Sequence, residues 1–183
     1  MVKAQGPDYY DGRFRRSITL PQKLAQKRYR NRIVAGYVTG SVLDLGCGLG
    51  LLADLVGEQE YLGVDFSPVA LQWAREYTAN PNARFWQYDI CALPEDMGTF
   101  DTVVLCEVLE HVEDPQAVAD IALRLARQRV VVVVPVNMPG GAHLWPTWDQ
   151  EKLETLLGEL ALCRTVSNEK PKMTEGLVAV KIL

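Results

Sequence analysis

The residues best suited to chemistry are three glycines at alternate positions, Gly46, Gly48 and Gly50, with Cys47 between them and a carboxylate on either side, Asp44 before and Asp65 after. A turn without Cβ atoms adopts positive φ at little cost and lets the backbone approach a ligand closely. A helix beginning near Leu49 would aim its free N–H groups at that ligand. Asp65 closes the stretch Glu60–Asp65, an apolar run ending in a carboxylate, which is where an α/β crevice places a two-point acceptor for ribose hydroxyls. The loop therefore reads as a cradle for a nucleoside-bearing cofactor. It also approximates the dinucleotide fingerprint, but that pattern wants a further glycine at position 51, where Leu51 stands.

A second group lies farther along. Glu107, Glu110 and His111 stand at i, i+3 and i+4, so a helical turn would project all three from one face. One reading makes His111 a general base of near-neutral pKa, with the glutamates hydrogen-bonding cofactor or substrate. Another is a hydrated acidic turn in which His111 caps a helix end or packs. His143 is a further candidate for touching substrate, with Trp145 and Trp148 walling a pocket or capping the core.

These residues need elements to hold them. Pro21 opens a helix to about Val38, with Leu24, Tyr29, Ile33, Val34 and Tyr37 as its apolar stripe. Val42, Leu43 and Leu45 suit a buried parallel strand that runs into the glycine turn. Leu49–Val56 is expected to be a helix and Glu60–Val64 a strand. Ser67 and Pro68 cap a helix to about Tyr77, and Ala83–Tyr88 forms a third strand after the Asn80-Pro81-Asn82 turn, leaving Asp89 at its carboxyl end. Phe100–Leu105 is the fourth strand. Asp114 and Pro115 open a helix to about Gln128, and the valine run Arg129–Val136 is the fifth strand. The loop Asn137–Thr147, with a Pro139-Gly140-Gly141 hinge, leads to a helix over Asp149–Leu157 and strands at Leu160–Ser167 and Leu177–Leu183.

Taken together, Val42-Leu-Asp-Leu-Gly-Cys-Gly-Leu-Gly50, Gly63-Val-Asp-Phe-Ser-Pro68, Tyr88-Asp-Ile90 and Cys106-Glu-Val-Leu-Glu-His-Val112 resemble the motifs of class I S-adenosylmethionine-dependent methyltransferases. The heptad from Cys106 is most similar to ubiquinone-biosynthesis-type O-methyltransferases. The resemblance implies a Rossmann-like, mostly parallel seven-stranded sheet, α/β in class, with helices on both faces and a closing C-terminal antiparallel hairpin. It implies S-adenosylmethionine as cofactor, an acid at Asp89 accepting from the adenine amino group, Ile90 packed on the ring, and Phe66 beside adenine or ribose. Cys106 would face the cofactor's reactive end. Tyr9, Tyr10 and Phe14 resemble an aromatic N-terminal segment that folds over the cofactor, the alternative being a hydrophobic staple. It also adds a third reading for Glu107, Glu110 and His111, a divalent-cation site. The expectation is nevertheless no metal and no metal dependence, because so few ligands on adjacent turns leave most of the coordination to water.

On this reading residues 1–183 form one methyltransferase domain, with a lid arm and helix over 1–38, a cofactor half over 39–136 and a substrate side over 137–183. A chain of 183 residues with 48% hydrophobic side chains can bury one substantial core. No apolar run spans a bilayer, and a cytoplasmic location is expected. Cys47, Cys91, Cys106 and Cys163 have neither zinc spacing nor a disulfide framework. Net charge is −4, yet Arg13–Arg32 holds eight Lys or Arg and no acid. That arm is a solvated helix face or the contact for an anionic substrate, rather than a nucleic-acid site. The Asp/Asn-Pro-Pro-Tyr and Pro-Cys motifs of adenine-N6 and cytosine-C5 methyltransferases are absent from the sequence. The expected activity is O- or N-methylation of a small molecule. A peptide acceptor, a homodimer and a non-catalytic binding subunit are the alternatives.

Overall fold

The computed structural model describes residues 5–138, 142–167 and 175–183, with only the backbone of 21–27. The Pro139–Gly141 hinge and the side chain of Leu24 lie outside the described residues. In chain order the elements are α1 (Pro7–Thr19), α2 (Pro21–Ala35), β1 (Val42–Leu45), β2 (Tyr61–Asp65), α3 (Pro68–Tyr77), β3 (Ala83–Gln87), β4 (Phe100–Cys106), α4 (Pro115–Leu125), β5 (Ala126–Pro135), α5 (Gln150–Leu157), β6 (Leu162–Val166) and β7 (Gly176–Ile182). Single tight helical turns follow β3 at Ile90–Ala92 and β4 at Leu109–His111.

The strands form one seven-stranded sheet in the order β3-β2-β1-β4-β5-β7-β6. β1 to β5 run parallel to one another, and β7, antiparallel to both β5 and β6, closes the sheet with β6. The valine run shows why the sheet must be covered on both faces. Val130, Val132 and Val134 enter one core with α4 and α5 residues such as Val118 and Leu153, whereas Val131 and Val133 enter the other with Val34 of α2 and Leu71 of α3. Side chains alternate faces along a strand, so an unbroken apolar run needs helices on both sides. The chain reverses its winding between β1 and β4, which opens a crevice at the carboxyl ends of the strands.

Three local expectations are corrected. Residues 49–56 form consecutive tight turns rather than a helix. Gly50 and Gly57 take φ of 66° and 69°, and Ala53 and Leu55 donate to carbonyls only three residues back. Only Val56 donates four residues back, to Leu52 O at 3.1 Å, and left-handed glycines at both ends keep that bonding from extending into a helix. α4 stops at Leu125 instead of Gln128, because Ala126 pairs with Phe100 of β4 and starts β5 early. The N-terminal aromatics, expected as a lid arm ahead of the helix from Pro21, lie in a helix of their own. α1 starts with Pro7 in its first turn and buries Phe14 and Ser17. Phe14 joins Leu49, Leu51 and Ala70 in a small third cluster separate from the two sheet cores.

Candidate functional site

The strand ends, α1 and α2 enclose a cavity of about 1160 Å³. Pockets for a small ligand usually measure roughly 300–1000 Å³. This space exceeds that range.

The glycine turn makes one wall. Gly46 and Gly48 have φ of 75° and 52°, and a Cβ on Gly46 would lie 2.6 Å from Val108 Cγ2. Any side chain there would have to displace Val108 and adopt a left-handed backbone. A Cβ on Gly48 would meet the Phe14 ring at 3.0 Å, so α1 rests directly on the turn. Asp65, 3% exposed, fastens the wall: its Oδ2 accepts from Gly48 N at 2.8 Å and its Oδ1 from Ser67 N at 2.8 Å. A carboxylate accepts several hydrogen bonds, and this one lines the cavity, which suits vicinal hydroxyls arriving there. Asp44 is equally buried and accepts from the Tyr61 hydroxyl at 2.6 Å. Burial pushes its carboxyl up to about 7; the Tyr61 bond opposes that rise and Asp65 adds to it. A cationic ligand would draw it back to the charged form. Asp89 caps the turn at Ile90, accepting from Cys91 N at 2.9 Å, and lines the cavity as well. The capping and ligand-facing readings are thus compatible.

Tyr10 connects this wall to the other end. Its ring stands 5.3 Å from Phe66 and 5.6 Å from His111, both edge-to-face. The α1 helix is held there by Ser67 Oγ donating to Asp11 Oδ1, while the same hydroxyl accepts from Ala70 N at 3.1 Å to cap α3.

The face expected for Glu107, Glu110 and His111 does not assemble as such. Glu107 has φ of 60° and pairs with Arg30 of α2. Glu110, 1% exposed, and His111 are joined instead by His143. The loop after β5 hangs on the loop after β4: Leu144 N and Trp145 N donate to Glu110 O at 2.7 and 3.3 Å, and Trp145 Nε1 donates to Val112 O at 3.0 Å. This brings the two imidazoles to a centroid separation of 4.8 Å. His111 Nδ1 lies 3.1 Å from Ala142 O and His143 Nδ1 lies 2.9 Å from Met138 O. A carbonyl only accepts, so both neutral rings carry their proton on Nδ1 and present a basic Nε2. Burial lowers the pKa of His143; the Met138 bond opposes this, and the Arg13 and Arg30 charges add to the lowering. His111 is on the cavity wall and His143 stands behind it.

Of the residues expected to hold cofactor, Tyr10, Asp44, Gly46, Cys47, Gly48, Asp65, Phe66, Asp89, Ile90 and Cys106 all face the cavity. Sequence reasoning missed Arg30 and Tyr61. Each acts on a partner far along the chain, and nothing local marks either one.

Ligand atoms of Glu110, His111 and His143 lie within 4.8 Å of one another, the group among the described residues that could hold a cation. A tetrahedral zinc site needs ligand atoms about 3.3 Å apart, given metal–nitrogen bonds of roughly 2.0–2.1 Å. His111 Nε2 and Glu110 Oε1 stand 4.0 Å apart, which is wider than that. Activity is expected to persist in excess chelator, measured with the purified protein; a stoichiometric metal that restores lost turnover would reverse this expectation.

Comparison with known proteins agrees with the geometry. A family model described as a methyltransferase domain matches residues 42–129. The ubiquinone biosynthesis O-methyltransferase of Paracidovorax citrulli is 35% identical over 92 residues, covering 47% of this chain and 39% of that protein. The corresponding enzyme of Idiomarina loihiensis is 31% identical over 126 residues, covering 66% of this chain and 47% of that protein. The matches thus span less than half the length of these relatives. Among solved structures, magnesium protoporphyrin IX methyltransferase from Synechocystis with bound S-adenosylhomocysteine has a TM-score of 0.70 at 19% identity, covering 87% of this chain and 84% of that one. An N-methyltransferase from Bradyrhizobium japonicum has a TM-score of 0.69 at 17% identity, covering 91% and 90%. These two share the fold. Among the described residues no helix is long and apolar enough to cross a membrane.

Proposed function

We propose, for a chain that belongs to the class I S-adenosylmethionine-dependent methyltransferases, that it methylates an oxygen or nitrogen of a small molecule bound in the same cavity as the cofactor. The observation that carries this reading is one cavity lined both by Asp65 with the glycine turn and by the imidazole of His111. On this reading the cofactor lies against Asp65 and the glycine turn, and the acceptor against His111, whose ring is 4.8 Å from that of His143. When bound, the sulfonium cofactor supplies an activated methyl group: the acceptor's lone pair forms the new bond to carbon as the carbon–sulfur bond breaks and its electron pair returns to sulfur.

The chain's own residues do the rest. Asp65 accepts from the ribose hydroxyls, Asp89 and Ile90 receive the adenine, and Asp44 supplies negative charge as the cation arrives. Tyr10, packed between Phe66 and His111, separates the cavity from solvent and orients both ligands. Positioning is the main contribution, since displacement at a methyl group needs collinear atoms more than it needs a base. Where the acceptor carries a proton, His111 Nε2 accepts it. His111 is kept in the right tautomer by Ala142 O.

This arrangement predicts a pH profile. The imidazolium formed at His111 lies beside His143, so the step is easiest while His143 is neutral. His143 is neutral above its lowered pKa, and the charged groups around it are Arg13 from α1, Arg30 from α2, and Glu110 with His111 from the β4 loop. Protonation of His143 should therefore cut turnover only below the usual imidazole range of about 6.5. In His143→Gln the part of the acid limb due to His143 disappears.

The test of the function is transfer of labelled methyl from S-adenosylmethionine to a panel of phenols, hydroxy acids and amines, run beside calorimetry of cofactor binding. Cofactor binding with turnover of a panel member is the expected result. Absence of cofactor binding would remove the basis of this reading.

A further inference from the structure

The charges on the cavity wall are divided by element. Its acids, among them Asp44, Asp65, Asp89 and Glu107, come from the ends of the strands and the loops that follow them. Its arginines come from the helices that roof it: Arg13 and Arg16 from α1 and Arg30 from α2. Arg30 is engaged with Glu107. Arg13 and Arg16 differ, for among the described residues neither makes an ion pair, and both stand in the wall while remaining exposed.

Helical spacing explains how they get there. Tyr9, Arg13 and Arg16 occupy i, i+4 and i+7 of α1 and line the cavity together, whereas Arg15, on the same helix, does not. The Arg13 guanidinium is set over two rings, 5.9 Å from the Tyr9 centroid and 6.0 Å from that of Tyr10. Ring contacts of this kind fix the orientation of a guanidinium without using its hydrogen-bond donors. Tyr10 is also the ring that touches His111 at 5.6 Å. One aromatic ring therefore separates a pre-oriented cation from the imidazole of the acceptor end, a span that a compound built on one ring can bridge.

We propose that the acceptor is a small anionic molecule whose carboxylate or phosphate is held by Arg13 and Arg16, which places its nucleophilic atom at the His111 end of the cavity. The division of charge supports this assignment: the cationic cofactor is drawn to the carboxylate side and the anion to the helical roof. A cationic acceptor would meet two arginines at the entrance, and like charges there reduce both encounter and binding. The inference rests on the methyltransferase reading for the location of the acceptor end, but not for the binding of the anion.

The experiment uses the whole chain saturated with S-adenosylhomocysteine and three one-ring probes, benzoate, phenyl phosphate and benzamide, each titrated by ligand-observed NMR. Benzoate or phenyl phosphate should bind at least about tenfold more tightly than benzamide, as expected for charge-assisted bonds. Comparison of the two anions distinguishes a carboxylate from a phosphate site. Arg13→Gln and Arg16→Gln should each remove most of that preference, raised salt should weaken it, and Arg15→Gln should leave it unchanged. These side chains are exposed, so the variants should fold, which a melting curve verifies. Equal binding of benzamide, failure of both anions to bind, or a preference that survives both substitutions would overturn the proposal. If S-adenosylhomocysteine itself does not bind, the methyltransferase reading fails separately, and the anion titration on the cofactor-free protein still decides the present inference.

Discussion

Replacing Asp65 with alanine is expected to weaken S-adenosylmethionine binding by at least about 100-fold in a calorimetric titration. Two hydrogen bonds from ribose hydroxyls to a charged acceptor contribute roughly 1.5–3 kcal/mol each, and every 1.4 kcal/mol is tenfold in affinity. The loss should exceed that of the ribose bonds alone, because the same carboxylate holds Gly48 N and Ser67 N at 2.8 Å each. Without it the glycine turn and the start of α3 lose their common anchor, and the wall facing the cofactor is no longer pre-formed. Asp65→Asn separates the two contributions. It keeps one acceptor oxygen and the side chain's shape, so its melting temperature should stay closer to that of the parent while affinity falls by an intermediate amount. Unchanged affinity in Asp65→Ala would show that the ribose is bound elsewhere.

Much of this arrangement is legible in the sequence because it is local. The run at Val42–Leu45, the alternate glycines and the terminal Asp65 mark strand, turn and acceptor within 24 residues. The valine run marks a central strand by composition alone. What escapes notice is set by pairing between distant segments. Ala126–Gln128 reads as the tail of a helix, yet Ala126 is recruited by Phe100 into the sheet, an instance of tertiary pairing overriding local preference. Arg30 meets Glu107 across 77 positions, and that meeting, not the i, i+3, i+4 spacing, determines what Glu107 can do. His143 joins Glu110 and His111 only because the loop after β5 is tied to the carbonyl of Glu110. For α1 the signal is present but faint. Pro7 sits in its first turn and Tyr10, Phe14 and Ile18 recur at i, i+4 and i+8, a stripe one residue wide beside several charges.

That narrow stripe matters for the second large effect, expected on removing residues 1–20. α1 packs through Phe14, Tyr10 and Ile18 on Leu49, Leu51 and Ala70, a cluster apart from the two cores that cover the sheet. The sheet and its flanking helices should therefore survive the truncation. The stability lost should be that of this small cluster only, of which Phe14 alone contributes roughly 1.5–3 kcal/mol. Function should suffer far more. The truncated protein loses the Phe14 ring that rests on Gly48, the Tyr10 ring between Phe66 and His111, and Arg13 and Arg16 of the roof. The cofactor end keeps Asp44, Asp65 and Asp89 on the strand side, so S-adenosylhomocysteine should still bind, more weakly. The acceptor end loses its roof, and a small misplacement of reacting atoms can cost about 100-fold in rate. Single-turnover methyl transfer at saturating cofactor should accordingly fall by at least roughly 100-fold, while the melting transition remains cooperative. Phe14→Ala provides a finer version, since it undermines the seating of α1 without removing Tyr10, Arg13 or Arg16, and should fall between the parent and the truncation. A truncated protein that turns over at the full rate would show that the acceptor is held by the loops after β4 and β5 alone.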